Sequence, residues 1–150
     1  MVGELDNVNR EKRIKRIKRI KRKERKIGIL MGERKRHNYK NLKIWQLGIE
    51  IANDIFDVVK TFPENEKYDL SSQLNRCSIS IPSNVAEGSS RTEKSFSHFL
   101  DIALGSSFEL GTQLIIALHR NYIDKNKLQQ LENKIEEFQK MTMSFQNGLS

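Results

Sequence analysis

Apolar residues recur three and four positions apart through most of this 150-residue chain. That spacing keeps one side of an α-helix apolar, whereas a half-buried strand needs strict alternation. Four segments carry the helical spacing, over residues 44–62, 70–85, 96–117 and 128–145. No strand pattern competes with them, so the sequence predicts an all-α fold.

Residues that stop or cap helices mark the ends of these segments. Pro63 stops the first helix, because its ring and missing N–H cannot continue the backbone pattern. Pro82 lies inside the second apolar pattern, so we expect it to kink that helix near residues 78–80 rather than end it. Gly88 is expected to close the second helix as a left-handed cap. Ser90–Glu93 has the form of a capping box for the third helix, and Asp124 is expected to cap the fourth.

Short connections of about four to eight residues are typical of antiparallel neighbouring helices. We therefore predict an antiparallel up-down-up-down four-helix bundle over residues 41–150, preceded by a basic N-terminal arm over residues 1–40. The third helix is expected to be the longest of the four, with small residues that let a neighbouring helix approach closely. These small residues are Ala103, Gly105, Ser106, Ser107 and Gly111.

Apolar residues off the main stripes exceed what one small core needs, and we expect a subunit interface to cover them. They include Ile49, Phe56, Val59, Phe108, Ile115 and Ile116. The sequence therefore predicts a homo-oligomer.

The formal net charge of +8 is divided unevenly along the chain. Residues 1–40 hold 16 Lys and Arg against 5 Asp and Glu, a net charge of +11, whereas residues 41–150 hold 11 against 14, a net charge of −3. Twelve of the seventeen residues from Arg10 to Lys26 are Lys or Arg, and the triplet Ile-Lys-Arg occurs three times in succession. Any inference from the sequence pI of about 9.7 therefore concerns the arm.

Three interpretations of the arm stay open. A block of like charges favours a disordered or loosely helical segment, because isoleucines three apart drift around a helix and form no lasting apolar stripe. The same block is typical of a segment that binds RNA or the ribosome, since each neutralised phosphate releases counterions. Alternatively, residues 1–30 are an upstream mis-start and the natural product begins at Met31, directly before the apolar pattern.

Composition argues against a membrane protein. The charged fraction is 31% and the mean hydropathy is −0.64. The longest uncharged stretch, residues 110–119, is too short to cross a bilayer. A single cysteine excludes an internal disulfide, and we expect a cytoplasmic protein.

Residue patterns that support catalysis or metal binding are missing from the sequence. The Glu-x-x-His pair of di-iron bundles, H-E-x-x-H, G-x-G-x-x-G and the P-loop are all absent. His98 and Asp101 lie one helical turn apart but lack a nucleophile or a third convergent group. Cys77 lies on the apolar stripe, where a thiol stays inert unless an electropositive neighbour activates it. We therefore predict no enzyme, no metal site and no cofactor, and rank an enzyme using His98 and Asp101 last.

Several short strings resemble a known family. They are Asn41-Leu42-Lys43-Ile44-Trp45-Gln46, Thr61-Phe62-Pro63-Glu64, Leu70-Ser71-Ser72-Gln73-Leu74-Asn75-Arg76, Phe99-Leu100-Asp101-Ile102-Ala103-Leu104-Gly105-Ser106 and Ser78-Ile79-Ser80-Ile81-Pro82-Ser83-Asn84-Val85-Ala86-Glu87-Gly88. Over about residues 38–146 the chain closely resembles the four-helix-bundle proteins encoded in intervening sequences of bacterial 23S ribosomal RNA genes, often described as ribosomal-protein-like.

This resemblance implies an antiparallel bundle that assembles as a homopentamer and has no known catalytic activity. A related branch, the accessory protein of diversity-generating retroelements, binds nucleic acid and a reverse transcriptase. The family motif is assigned a structural role, with Asn84, Glu87 and Arg91 expected to satisfy backbone groups freed at the kinked helix. The motif residues are Pro82, Ser83, Asn84, Ala86, Glu87 and Gly88.

The leading hypothesis is a non-enzymatic, oligomeric four-helix-bundle protein that acts as an RNA- or ribonucleoprotein-associated interaction module. The alternative is a protein-binding scaffold ring that never contacts nucleic acid. Net charge does not forbid a local basic patch, so the predicted nucleic-acid contacts include residues outside the arm. They are Lys12, Arg13, Lys15, Arg16, Lys18, Arg19, Lys21, Arg22, Lys43, Arg76 and Arg91.

Overall fold

The protein is all-α in a computed structural model that describes residues 2–30 and 36–149. These residues form five α-helices and no strand. The helices are α1 (Val2–Leu30), α2 (Lys43–Val59), α3 (Leu70–Ser89), α4 (Glu93–His119) and α5 (Lys125–Asn147), with short 3₁₀ turns at Tyr39–Asn41 and Glu64–Glu66.

The chain divides into two compact units, an N-terminal unit of Met1–Arg34 and a C-terminal unit of Lys35–Ser150. The C-terminal unit begins before residue 41 because residues of the expected arm pack onto it. The His37 ring lies 5.5 Å from the Phe96 ring and 5.8 Å from the Phe145 ring, centroid to centroid.

The N-terminal unit contains one continuous helix, α1, where the sequence favoured a disordered or loosely helical arm. Lys, Arg and Glu are good helix formers, and their intrinsic preference offsets part of the charge repulsion. Ile14, Ile17 and Ile20 are each close to 45% exposed and form no buried core. The expected alternative start at Met31 lies outside the described residues.

Helices α2 to α5 surround one apolar core. α2 contacts α3 and α5, and α4 also contacts α3 and α5. As expected, α4 is the longest of these four helices, at 27 residues. The deepest core side chains are Ile51, Ile55, Leu74, Ile81, Val85, Phe96, Leu100, Leu110, Leu114 and Phe138.

The starts of α4 and α5 are fixed by side-chain caps. Asp124 caps α5 as expected, its Oδ1 accepting from the Lys127 N–H at 2.7 Å. The α4 cap is Thr92 rather than Ser90, with Thr92 Oγ1 accepting from the Ser95 N–H at 3.3 Å. The Ser90 hydroxyl instead donates to the Glu87 carbonyl oxygen at 2.8 Å, which closes the end of α3.

The end of α2 comes earlier than the apolar pattern predicts. α2 ends at Val59, and the Thr61 hydroxyl donates to the Val58 carbonyl oxygen at 2.7 Å. Phe62 therefore leaves the helix but stays buried, with its ring 5.2 Å from that of Tyr122.

α3 continues through Pro82, as predicted. Pro82 is buried against α2 at Gly48, where a built Cβ would lie 3.2 Å from the Pro82 Cβ. The missing side chain at Gly48 lets the proline ring of α3 approach the α2 backbone closely.

Gly88 is not the left-handed cap that the sequence suggested. It lies inside α3, and the cap residue is Ser90 in a right-handed conformation. A Cβ at Gly88 would lie 2.6 Å from Phe96 Cδ2 and 2.7 Å from Phe99 Cβ. Gly88 is therefore needed for the close approach of α4 rather than for a turn.

By length and composition alone, α4 is long and apolar enough to cross a membrane. The expectation that no segment qualifies was wrong, because it counted only uncharged stretches and a longer window tolerates Asp101 or Glu109. The inner side of α4 nevertheless packs into the core, with Phe96, Leu100 and Leu114 all buried. Core helices of globular proteins pass the same test.

We predict that Gly88→Ala lowers the free energy of unfolding by about 1–3 kcal/mol, because the added methyl group meets aromatic side chains at sub-contact distance. Gly111→Ala is the matched control, since a Cβ there has nothing within 4 Å. Its helix propensity raises stability by about 0.5–1 kcal/mol. Urea unfolding followed by circular dichroism measures both changes, and equal effects would contradict the packing role of Gly88.

Candidate nucleic-acid interface

The cations of α1 form the densest positive surface in the described part of the chain. Side chains 7–27 are all exposed, including all eight arm residues predicted to contact nucleic acid. None of these cations forms an ion pair among the described side chains. Lys18, Lys21, Arg22 and Arg25 line a hollow of about 350 Å³ on the helix.

Helix geometry sorts these cations onto one side. At 100° per residue, nine of the twelve cations of residues 10–26 fall within one half of the α1 circumference. The spacing of four, three and four makes Lys15, Arg19, Arg22 and Lys26 a straight row. Four isoleucines lie in the other half, at Ile14, Ile17, Ile20 and Ile27.

Sequence inspection alone missed part of this face. Lys26 belongs to the straight row, yet the prediction stopped at Arg22. Arg13 and Lys21 were included, yet they lie in the isoleucine half. The 3.6-residue period of an α-helix separates the cations of the row from those in the isoleucine half. It can be applied only once the arm is known to be helical.

The three cations predicted outside the arm stand at separate places. Lys43 is the first residue of α2 and Arg76 lies on α3, both exposed. Arg91 follows α3 and is held locally. Its Nη2 lies 3.0 Å from Glu87 Oε1, and its guanidinium stands 5.7 Å from the centroid of the Phe99 ring.

The remaining polar residues of the family motif hold the end of α3. The Asn84 amide nitrogen donates to the Ser80 carbonyl oxygen at 2.7 Å, which satisfies a backbone acceptor beside Pro82. Glu87 and Arg91 pair with each other rather than with backbone groups. Ser83 is exposed and Ala86 is half-buried.

Cys77 lies in a polar contact between α3 and α4. Its Sγ donates to the Ser106 carbonyl oxygen at 3.0 Å, and the Ser106 and Ser80 hydroxyls bond to each other. Burial, helped by the nearby Glu109 carboxylate, raises the pKa of the Cys77 thiol to about 12. The thiol is therefore protonated and unreactive near neutral pH.

The side chain of Asp101 contacts Gln146 on α5. The Asp101 carboxylate accepts from the Gln146 amide nitrogen at 2.6 Å, and no hydrogen bond joins it to His98 in the described part of the chain. Both residues line a shallow hollow of about 440 Å³ with Lys94 and Ser97. No group of three or more His, Cys, Asp or Glu side chains within the described ranges is placed to hold a metal ion.

These features define an all-α protein whose described surface includes an exposed basic helix. The family described as 23S rRNA-intervening sequence protein matches residues 40–144, and the chain belongs to that family. The earlier resemblance is thereby confirmed.

The fold is similar to that of solved structures. One of them is described as a protein with unknown function from the S23 ribosomal protein family of Bacteroides thetaiotaomicron, and it matches with a TM-score of 0.65 at 24% identity. The match covers 69% of this chain and 95% of that chain, so it supports the fold of the C-terminal unit. No curated protein matches the chain.

We predict that native Cys77 reacts with iodoacetamide at least about tenfold more slowly than the unfolded chain, because the folded state keeps the thiol protonated and covered. The raised pKa also stabilises the fold below the unfolded pKa of 9.0, and this contribution is lost as pH rises toward about 12. The unfolding free energy of wild type should therefore fall relative to Cys77→Ala above pH 9.0. Equal alkylation rates of the native and unfolded chains would contradict the assignment.

Proposed function

We propose that this protein is a non-enzymatic, homo-oligomeric module of the cytoplasm that associates with RNA or ribonucleoprotein through phosphate contacts made by α1. The observation that carries the proposal is the exposed basic helix, with twelve cations in seventeen residues and no ion pair among the described side chains. The alternative function is a protein-binding scaffold ring without nucleic-acid contact.

The spacing of cations along α1 is close to the spacing of phosphate charges along a nucleic-acid duplex. Residues 10–26 extend over about 25 Å at a rise of 1.5 Å per residue, which gives about one cation every 2 Å. Duplex DNA carries one phosphate charge per about 1.7 Å of axis, and an RNA duplex is comparably dense. The straight cationic row of Lys15, Arg19, Arg22 and Lys26 can therefore follow a phosphate backbone.

Base recognition by α1 is disfavoured by its composition. Residues 2–30 contain no Phe, Tyr or Trp on which an unpaired base would stack. Contacts from Lys and Arg to phosphates position a protein on nucleic acid but carry no sequence information. We therefore expect sequence-tolerant, salt-sensitive binding that prefers duplex RNA.

The C-terminal unit is a poorer phosphate surface. Residues 35–150 carry 14 Lys and Arg against 14 Asp and Glu, a net charge of zero, whereas residues 1–34 carry a net charge of +8. A hollow of about 550 Å³ between α2 and α5 is lined by Asp54, Asp57 and Asp124. Lys134 in the same hollow is neutralised by Asp54 at 2.6 Å, and this hydrogen bond raises the pKa of Lys134.

An antiparallel four-helix bundle accounts for the contacts of the C-terminal unit. The Gln146 amide nitrogen, at the end of α5, donates to Ser97 Oγ near the start of α4 at 2.9 Å. Lys134, in the middle of α5, pairs with Asp54 on α2. We propose the up-down-up-down order for α2 to α5 on these contacts and on the short connections.

Self-association is supported by the outer side of α4. Ile102, Phe108, Ile115 and Ile116 are exposed there, and Phe108 is 54% exposed. Gly105 on the same side has nothing within 4 Å of its built Cβ. A helix that is apolar on both sides is normally buried, so we propose that other copies of the chain cover this side. The pentameric number rests on family resemblance, and the relation to the retroelement accessory protein stays a prediction.

We predict that changing the cationic row to glutamine, with Lys15→Gln, Arg19→Gln, Arg22→Gln and Lys26→Gln together, weakens binding to a 23S ribosomal RNA duplex fragment. Each lost phosphate contact lowers the slope of log K against log salt by about 0.9, so the magnitude should fall by about 3–4. Glutamine preserves helix propensity. Fluorescence anisotropy across a salt series measures the slope.

The matched control neutralises four exposed cations of the C-terminal unit that lie outside the predicted contacts, with Lys67→Gln, Lys94→Gln, Arg120→Gln and Lys125→Gln. This variant should keep the wild-type salt slope. If the salt slope falls equally in both variants, the RNA contacts are not confined to α1 and the proposal is contradicted. If the wild-type chain does not bind the RNA fragment, the RNA-association proposal is wrong and the protein-binding scaffold is the favoured function.

A further inference from the structure

A groove of about 570 Å³ lies between the start of α2 and the last turns of α5. Its floor is apolar and two lysines stand at its rim. The main lining residues are Leu42, Lys43, Ile44, Lys140, Met141 and Phe145.

The apolar floor is only half covered by the protein itself. Leu42, Met141 and Phe145 pack against the hydrophobic core but remain partly exposed. Ile44 is buried beneath them at 3% exposure. The groove is therefore an extension of the core that opens to solvent, and a second apolar surface would gain free energy by covering it.

The rim of the groove is positive. Lys43 is exposed and has no ion-pair partner among the described side chains. Lys140 has only Glu136, at 3.8 Å, and both side chains are largely exposed, so this pair contributes little.

The start of α2 adds to this potential. Leu42 is the N-cap residue and makes no side-chain cap hydrogen bond, so the cap does not offset the positive end of the α2 dipole. The groove therefore joins an apolar floor to three sources of positive potential.

We propose that this groove binds an acidic amphipathic helix of a partner protein. Apolar side chains of the partner, spaced i, i+3 or i+4, and i+7, cover Leu42, Met141 and Phe145. Flanking carboxylates of the partner meet Lys43 and Lys140, which fixes the orientation of the helix.

This occupant fits better than RNA at the same place. A phosphate backbone would use the two lysines but gain nothing from an apolar floor. The interaction goes beyond the proposed RNA association and does not depend on it, since the groove and α1 share no residue.

The test uses a phage-displayed library of random 16-residue peptides, selected on the immobilised full-length chain. We expect enriched sequences to be acidic and to carry the helical apolar spacing. The tightest peptide is then synthesised with a fluorescent label, and its dissociation constant is measured by anisotropy. Enriched peptides that are basic or lack the apolar spacing would overturn the proposal.

Charge reversal locates the contact. The double variant Lys43→Glu and Lys140→Glu should weaken peptide binding at least about fivefold, because both rim charges then repel the carboxylates. The matched control, Lys125→Glu and Lys127→Glu, applies the same charge change at the opposite end of α5 and should leave affinity within about twofold, through long-range charge alone. Equal losses in the two variants would overturn the groove as the binding site.

Discussion

Helix α4 is apolar on both its inner and its outer side, and the C-terminal unit is arranged around it. The inner side supplies Phe96, Leu100, Leu110 and Leu114 to the core and packs against α3 and α5. Two-sided apolar helices are stable in water only when both sides are covered. The outer side carries the exposed Ile102, Phe108, Ile115 and Ile116, which the proposed self-association would cover.

The helices and most of their boundaries could be predicted from the sequence, because the 3.6-residue period and the Asp124 cap are local signals. Close approaches between helices could not. Gly88 in α3 resembled a terminal cap in the sequence. In the structure its missing side chain makes room for Phe96 and Phe99 of α4. Gly105 and Gly111 resembled a tight crossing within the chain, yet they face open space. The role of a glycine depends on which residues of the neighbouring helix pack against it, and the spacing of residues in the sequence does not give that information.

For the candidate nucleic-acid interface, the sequence predicted the positive charge of the N-terminal segment but not the arrangement of its cations on one side of α1. The division into a basic N-terminal part and a mildly acidic remainder follows from counting. The cationic face of α1 does not, since it needs the helical phase that places Lys26 beside Arg22 and Arg13 on the opposite half. The groove at Leu42 and Met141 was not predictable either, because its two walls come from segments about a hundred residues apart. The proposed RNA contact, self-association and partner binding use different residues of the chain.

The central claim is that copies of this chain cover the outer side of α4, and the mass in solution tests it most directly. Native mass spectrometry of the full-length chain at micromolar concentration should give a closed multimer, with five copies expected from the family resemblance. Phe108→Glu should dissociate it while circular dichroism keeps its helical signal. Met143→Glu, which introduces the same charge at an exposed apolar residue of α5, should leave the assembly intact. A monomeric wild-type chain under these conditions would contradict the account.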